Sequence, residues 1–251
     1  MDIRFIGVGE AFDESQRNTS IFIEDIGLLL DCGFSAIQGI WKEGLYKNIR
    51  AIYISHFHAD HTFGIPSLLL RYHEEKRTEP LTIIGAKGIE LYIRDLTSLA
   101  YATFIENLGF DLTFKEIDSK SKISLGKAEL TFAKAEHAES SYSIRIDLEK
   151  KSLVYTGDTA YSKDIADLAK ETDILVHEAY TFQKVKDEKG PKNHSSFLSV
   201  GLCAKNSRSK TLALVHISRE VKDKTKSIKK EISQIYSGYV IFPKDGEKMT
   251  V

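Results

Sequence analysis

The stretch Ser55-His56-Phe57-His58-Ala59-Asp60-His61 decides how the rest of the chain is read. Three histidines and an aspartate fall within six positions, directly after the apolar run Ala51-Ile52-Tyr53-Ile54. The length of that run and its β-branched and aromatic content predict a buried strand. The histidine-rich segment then begins where a strand ends and a loop starts. Imidazole nitrogens and carboxylate oxygens are the donors that suit zinc and similar divalent ions. A polar loop with merely solvated histidines is the alternative, and so dense a group of ligand-type side chains argues against it.

A site held by 56–61 alone would be crowded and incomplete, so further donors must come from distant strand ends. His137 follows a predicted strand at 129–135, Asp158 follows one at 152–155, and His216 follows one at 212–215. Each sits just past an apolar strand, where loops gather at one edge of a sheet. Seven donors exceed what one tetrahedral zinc needs. They suit two metal ions a few ångströms apart, bridged by a carboxylate, an arrangement that stabilises both the attacking and the leaving oxygen in hydrolysis. A structural zinc site would be rich in cysteine. The only cysteines, Cys32 and Cys203, lie far apart in apolar surroundings.

Working outward, the first part of the chain predicts strands at 3–8, 19–24, 27–30, 51–54 and 81–84, with helices at 36–43, 65–75 and 87–99. Residues 100–110 fit helix or loop equally. From 110 to 156 short period-two runs predict a meander of strands: 110–117, 122–125, 129–135, 142–146 and 152–155. Helices at 165–170, 196–205 and 222–236 then alternate with strands at 174–176, 212–215 and 239–242. No linker divides the chain, which predicts a single domain over 1–251. Two halves that both mix strands with helices predict layered sheets with helices outside, an α+β architecture. The lysine-rich pieces 184–192 and 222–230 are expected to be a solvated loop and a solvated helix face.

The formal net charge of -1 over 251 residues rules out a global basic field of the kind that marks many nucleic-acid binders. Two cysteines make no disulfide framework, so buried free thiols in a reducing compartment are expected. No signal peptide and no run of transmembrane length is legible, and the cytoplasm is the simplest compartment.

The order His56-x-His58-x-Asp60-His61, then His137, Asp158 and His216, resembles the metallo-β-lactamase superfamily. That resemblance implies a four-layer αβ/βα sandwich with a dinuclear site at one edge of two facing sheets. It implies that His56, His58 and His137 hold one metal, that Asp60, His61 and His216 hold the other, and that Asp158 bridges. Zinc is the expected metal, with manganese or iron also compatible with these donors. Asp31, at the end of an early strand, resembles the buried acid that orients the family's metal loop. Residues 55–69, SHFHADHTFGIPSLL, and 77–89, RTEPLTIIGAKGI, are similar to ribonuclease Z in particular. So are His177-Glu178-Ala179, His194-Ser195-Ser196 and Val215-His216-Ile217-Ser218-Arg219. This branch implies that Asp60, His194 and Glu178 are catalytic. His194 would contact the phosphate and protonate the leaving oxygen, with Glu178 orienting its imidazole and keeping it cationic. His177 is expected to be a core histidine, and His73 has no expected role.

One departure bears on substrate. Ribonuclease Z carries a long flexible arm between its third histidine motif and its bridging aspartate, and grips tRNA with it. Here only twenty residues separate His137 from Asp158, and they read as a tight hairpin. Without the arm much phosphate-binding surface is lost. A small phosphodiester, such as a cyclic nucleotide or a short RNA end, is therefore expected over a tRNA precursor. The alternatives are a thioester, lactone or β-lactam hydrolase using the same metals, or a binding protein with a degenerate site. The resemblance also implies a homodimer, with no membrane partner.

Overall fold

Strand β1 (Asp2–Gly7) enters the interior at once, and every second side chain explains why. Ile3 and Phe5 point to one apolar cluster and Ile6 to another. The computed structural model describes residues 1–102, 105–182 and 193–251. The same alternation recurs in β3 (Leu28–Leu30) and β4 (Ala51–Tyr53). Leu28, Leu30 and Tyr53 face inward, while Leu29 and Ile52 face outward against helices. A strand buried on both faces reads as a continuous apolar run, as Leu28-Leu29-Leu30 does.

The first sheet has the order β14-β1-β2-β3-β4-β5-β6, where β2 is Ser20–Ile23, β5 Leu81–Ala86, β6 Leu112–Ile117 and β14 Glu247–Thr250. The second has the order β13-β12-β11-β10-β9-β8-β7. Its members are β7 (Lys122–Leu125), β8 (Ala128–Lys134), β9 (Tyr142–Leu148), β10 (Lys151–Tyr155), β11 (Ile174–Glu178), β12 (Thr211–Val215) and β13 (Tyr239–Ile241). Each sheet is antiparallel in one half and parallel in the other. Strands β3 to β6 run parallel in the first, and β10 to β13 in the second.

Phe5, Ile21, Leu30 and Tyr53 of the first sheet meet Leu130, Phe132, Ile146 and Val176 of the second in one inter-sheet core. Helices cover both outer faces. On the first lie α1 (Ala36–Lys42), α3 (Ile65–Glu74) and α4 (Ile89–Ala100). On the second lie α5 (Lys163–Leu168), α6 (Phe197–Ser207) and α7 (Thr225–Ile232). The result is the expected α+β, four-layer sandwich. Local chemistry sets the helix ends: Ser162 Oγ accepts from the Asp164 N–H, and Ser196 Oγ from the Ser199 N–H, each satisfying an otherwise open donor.

Some boundaries differ from the sequence reading. The helix expected over 222–236 spans only Thr225–Ile232, because Tyr236 turns back and donates its hydroxyl to the Ser209 carbonyl at 2.8 Å. Lys226, Lys229 and Lys230 are exposed there as expected, whereas the lysine-rich piece 184–192 lies outside the described residues. The ambiguous 100–110 segment holds a 3₁₀ turn, Ile105–Asn107. A short helix α2 (Ala59–Thr62) and strand β14 carry no pattern that periodicity could find. Among the described residues, no helix is long and apolar enough to cross a membrane.

Candidate metal centre

The candidate donors sit at strand ends of both sheets. Ser55 to His61 follow β4, His137 follows β8, Asp158 follows β10, and His216 follows β12. Asp31 follows β3, and Glu178 ends β11. The two sheets are joined here by the Tyr53 hydroxyl, which donates to the Tyr142 carbonyl at 2.6 Å, and by Tyr142 N–H to the Ser55 carbonyl at 2.9 Å. Loops from each sheet therefore open on one edge.

All seven expected donors converge. His56, His58 and His137 form one group, and Asp60, His61, Asp158 and His216 form another. His58 Nδ1 and His137 Nε2 lie 3.2 Å apart. His61 Nε2 and His216 Nε2 each lie 3.3 Å from Asp60 Oδ2. Donors about 2.0–2.2 Å from a tetrahedral zinc are separated by roughly 3.3–3.6 Å, so these spacings suit ligands of a shared ion. Asp158 lies between the groups. Its Oδ1 is 3.6 Å from His61 Nε2, and its Oδ2 is 3.5 Å from His216 Nε2 and 3.9 Å from both His56 and His137 Nε2. It therefore stands within reach of histidines from both groups. Among the described residues His56 Nε2 and His61 Nε2 are buried with no hydrogen-bond partner, which a divalent cation would supply. The donor set thus fits two metal ions.

The hydrogen bonds behind the donors decide which nitrogen faces the site. His61 Nδ1 donates to Asp31 Oδ2 at 2.7 Å, and His137 Nδ1 to the Asn193 carbonyl at 2.6 Å. His56 Nδ1 donates to Ser55 Oγ at 3.0 Å, and that hydroxyl donates on to Asp31 Oδ2 at 2.7 Å. Each bond engages Nδ1 and leaves Nε2 aimed inward, the nitrogen that would face an ion. The Tyr155 hydroxyl adds 2.8 Å to Asp31 Oδ2, and the Ser55 N–H adds 2.8 Å to Oδ1. Sequence reasoning found Asp31 but missed Ser55, Tyr155 and Asn193. Asp31 and His216 both hold left-handed backbone, with φ of 58° and 52°. Such conformations cost non-glycine residues about 1 kcal/mol or more and cluster at functional sites.

Charge divides the cluster. Burial opposes protonation of His56, His58 and His137 and lowers the pKa of each, so they stand as neutral imidazoles. Burial also opposes charge on His61 and His216, but the carboxylates outweigh it. Asp158 and Asp31 hold His61 well above its ordinary value, and Asp158 and Asp60 push His216 up to about 9. Burial would raise the Asp60 and Asp158 carboxyls, yet the facing histidines hold both below the usual carboxylate range. Asp60, expected both as a ligand and as catalytic, lies in the second donor group.

His194 joins His137 and Asp158 in a third group. Its Nδ1 donates to Glu178 Oε1 at 2.9 Å. Thr159 N–H donates to the same oxygen at 2.9 Å, and Ser195 N–H to Oε2 at 3.2 Å. Burial raises the Glu178 carboxyl above its ordinary value, and the donors converging on both oxygens oppose that rise. Burial likewise opposes charge on His194, but the Glu178 hydrogen bond and charge prevail and raise its pKa. His177 is a core histidine: it is buried, its Nδ1 donates to the Glu178 carbonyl, and burial lowers it to about 4. His73, half-buried on α3, is in none of the donor groups.

The model of the family described as anti-Pycsar protein Apyc1 matches residues 1–235. A ribonuclease Z of Halorubrum lacusprofundi is 26% identical, covering 99% of this chain and 96% of its own. Among solved structures, the metallo-β-lactamase fold protein YhfI from Bacillus subtilis superposes with a TM-score of 0.80 at 21% identity, covering 99% of this chain and 98% of its own. Human tRNase Z, short form, superposes with a TM-score of 0.77 at 22% identity, covering 100% and 99%. The fold is the metallo-β-lactamase fold.

Proposed function

The chain belongs to the anti-Pycsar protein Apyc1 family, and from that premise we propose a dinuclear metal-dependent phosphodiesterase of the ribonuclease Z-like branch. The observation that carries this reading is the placement of His194, braced by Glu178, beside two donor groups joined at Asp158. His56, His58 and His137 would hold one ion, and Asp60, His61 and His216 the other, with zinc the proposed metal. When bound, two such ions supply Lewis acidity and activate water for attack on phosphorus.

The chain's own residues do the rest. Hydrolysis adds the elements of water across a P–O ester bond. The departing oxygen needs a proton, and that role is assigned to the His194 imidazole, which regains one from solvent. Glu178 fixes the ring through Nδ1, so that Nε2 is the acid. An acid partner matters most when the leaving atom is basic, as is the alkoxide oxygen of a nucleotide ester. That favours an oxygen ester over a thioester, whose thiolate leaves without a proton.

The proposed substrate is a small phosphodiester, a cyclic nucleotide or a short RNA end. Residues between His137 and Asp158 form the tight hairpin of β9 and β10, which leaves no arm there to grip a tRNA. The reading takes 1–251 as one domain, supported by a core drawn from both sheets. It also takes the protein as cytoplasmic, supported by two buried free thiols, Cys32 and Cys203. A homodimer is part of it: Leu91 and Leu99 of α4, and Phe63 beside the metal segment, are exposed apolar surface for a second copy to cover.

The test is turnover of bis(p-nitrophenyl) phosphate by zinc-loaded protein, beside a chromogenic lactam and a pre-tRNA with a 3′ trailer. Diester turnover supports the reaction, and a loss of at least tenfold in His194→Ala on diphenyl phosphate, whose phenolate is more basic, supports the acid role. Efficient trailer cleavage overturns the substrate class, and lactam turnover without diester turnover overturns the reaction.

A further inference from the structure

The Tyr180 ring lies face to face with the His194 imidazole, centroids 4.7 Å apart and planes 20° from parallel. Neither the donor groups nor the Glu178 ion pair requires this contact. Tyr180 is strapped on both sides. Its N–H donates to the Ser195 carbonyl at 2.9 Å, and its carbonyl accepts from the Ser218 N–H at 3.1 Å. It therefore bridges the segment carrying His194 and the segment carrying His216. Its ring is half-buried and lies 6.3 Å from that of His216, tilted by 34°.

One hydrogen bond, His194 Nδ1 to Glu178 Oε1, fixes a single atom of the imidazole. The ring can still tilt about the line from Nδ1 to Cβ, and that tilt carries Nε2 away from Asp158. An aromatic face parallel to the imidazole opposes the tilt. His137 meets the same imidazole edge-on, 4.9 Å away at 63°, and restricts it further. We propose that Tyr180 is a positioning residue: its ring is the platform that holds the His194 plane so that Nε2 meets the leaving oxygen. This rests on the acid role given to His194 above. The aromatic face carries the effect, and the hydroxyl is dispensable.

The experiment compares Tyr180→Phe, Tyr180→Leu and His194→Ala, all zinc-loaded, on bis(p-nitrophenyl) phosphate and on diphenyl phosphate. Phenolate is the more basic leaving group and depends more on a delivered proton. A misplaced acid can cost on the order of 100-fold. Tyr180→Leu is therefore expected to lose about 10-fold or more in kcat on diphenyl phosphate, and only about twofold on the nitrophenyl ester, with KM held. Tyr180→Phe stays within about twofold on both, and metal content stays at the wild-type level in each variant. Equal losses on both esters in Tyr180→Leu, when His194→Ala discriminates between them, overturn the platform alone. So does a Tyr180→Phe loss as large as that of Tyr180→Leu, or metal loss in the leucine variant, which would place the role at His216. A His194→Ala variant that does not discriminate removes the acid role, and the platform with it.

Discussion

Asp31 Oδ2 accepts the Nδ1 proton of His61 at 2.7 Å, with both side chains fully buried. The two residues are thirty positions apart in sequence, brought together by the parallel pairing of β3 with β4. The same carboxylate holds Ser55 and Tyr155, so one acid sets the orientation of the metal segment and ties it to the second sheet.

Replacing Asp31 should therefore cost metal affinity. Groups that orient ligating histidines are typically worth about 10–100-fold in affinity. Asp31→Asn keeps an acceptor oxygen but offers a donor where Tyr155, Ser55 and His61 all donate. It should fall in that range, measured by competition against a chromophoric chelator. Unchanged affinity would make Asp31 a folding residue only.

Gly33 is the next sensitive point. A Cβ there would overlap the Asp60 carbonyl oxygen, and Asn18 Cβ is nearby as well. Since the obstacle is backbone, the metal segment itself must shift. Gly33→Ala should lower kcat by about 100-fold, the loss expected from a displacement on the order of 1 Å. The far-ultraviolet circular dichroism should stay unaltered. Wild-type turnover in this variant would show that the segment yields without consequence.

The candidate donors stood out in the sequence because four of them share one short segment and the rest directly follow apolar strands. Beyond Asp31 and Glu178, the supporting residues did not. Tyr155 ends β10 and reads by alternation as an inward core tyrosine, which it is, yet its hydroxyl reaches Asp31 across 124 positions. Tyr180 follows His177-Glu178-Ala179 as an ordinary loop tyrosine, and only folding lays it on His194. Such roles are single contacts between distant segments and leave no periodic trace. Strand β14 escaped for a related reason: it is short and mostly exposed, and pairing with β1 is what defines it.

His177 gives the fold a pH dependence separate from catalysis. Burial holds it at about 4 when folded, against the ordinary value of 6.5 in the unfolded chain. Between those values the unfolded state binds more protons, so stability rises with pH. The contribution is complete above 6.5 and is lost as pH falls towards 4, about 3 kcal/mol in all. His177→Phe removes the titration along with the bond to the Glu178 carbonyl. Urea unfolding of both proteins between pH 7.5 and 4.5 should show the wild type losing more stability than the variant. Parallel curves would mean that His177 titrates alike in the folded and unfolded states.

Metal removal should destabilise the protein as well as silence it. Asp60 and Asp158 are buried carboxylates, and in metal-free protein the protons that offset them sit on His61 and His216, held there at neutral pH. A divalent ion displaces those protons and offers more charge to the same oxygens, so binding stabilises the folded state. At free metal about 100 times its dissociation constant, one site contributes about 2.7 kcal/mol. For a chain of this size that raises Tm by about 5–10 °C. Dialysis against a chelator should lower Tm by that amount and abolish diester turnover, and zinc should restore both. Because protons leave as metal enters, calorimetric enthalpies of zinc binding at pH 7 should vary with the ionisation enthalpy of the buffer. An enthalpy independent of buffer, with Tm unmoved by the chelator, would mean that these donors do not bind metal as a charged cluster.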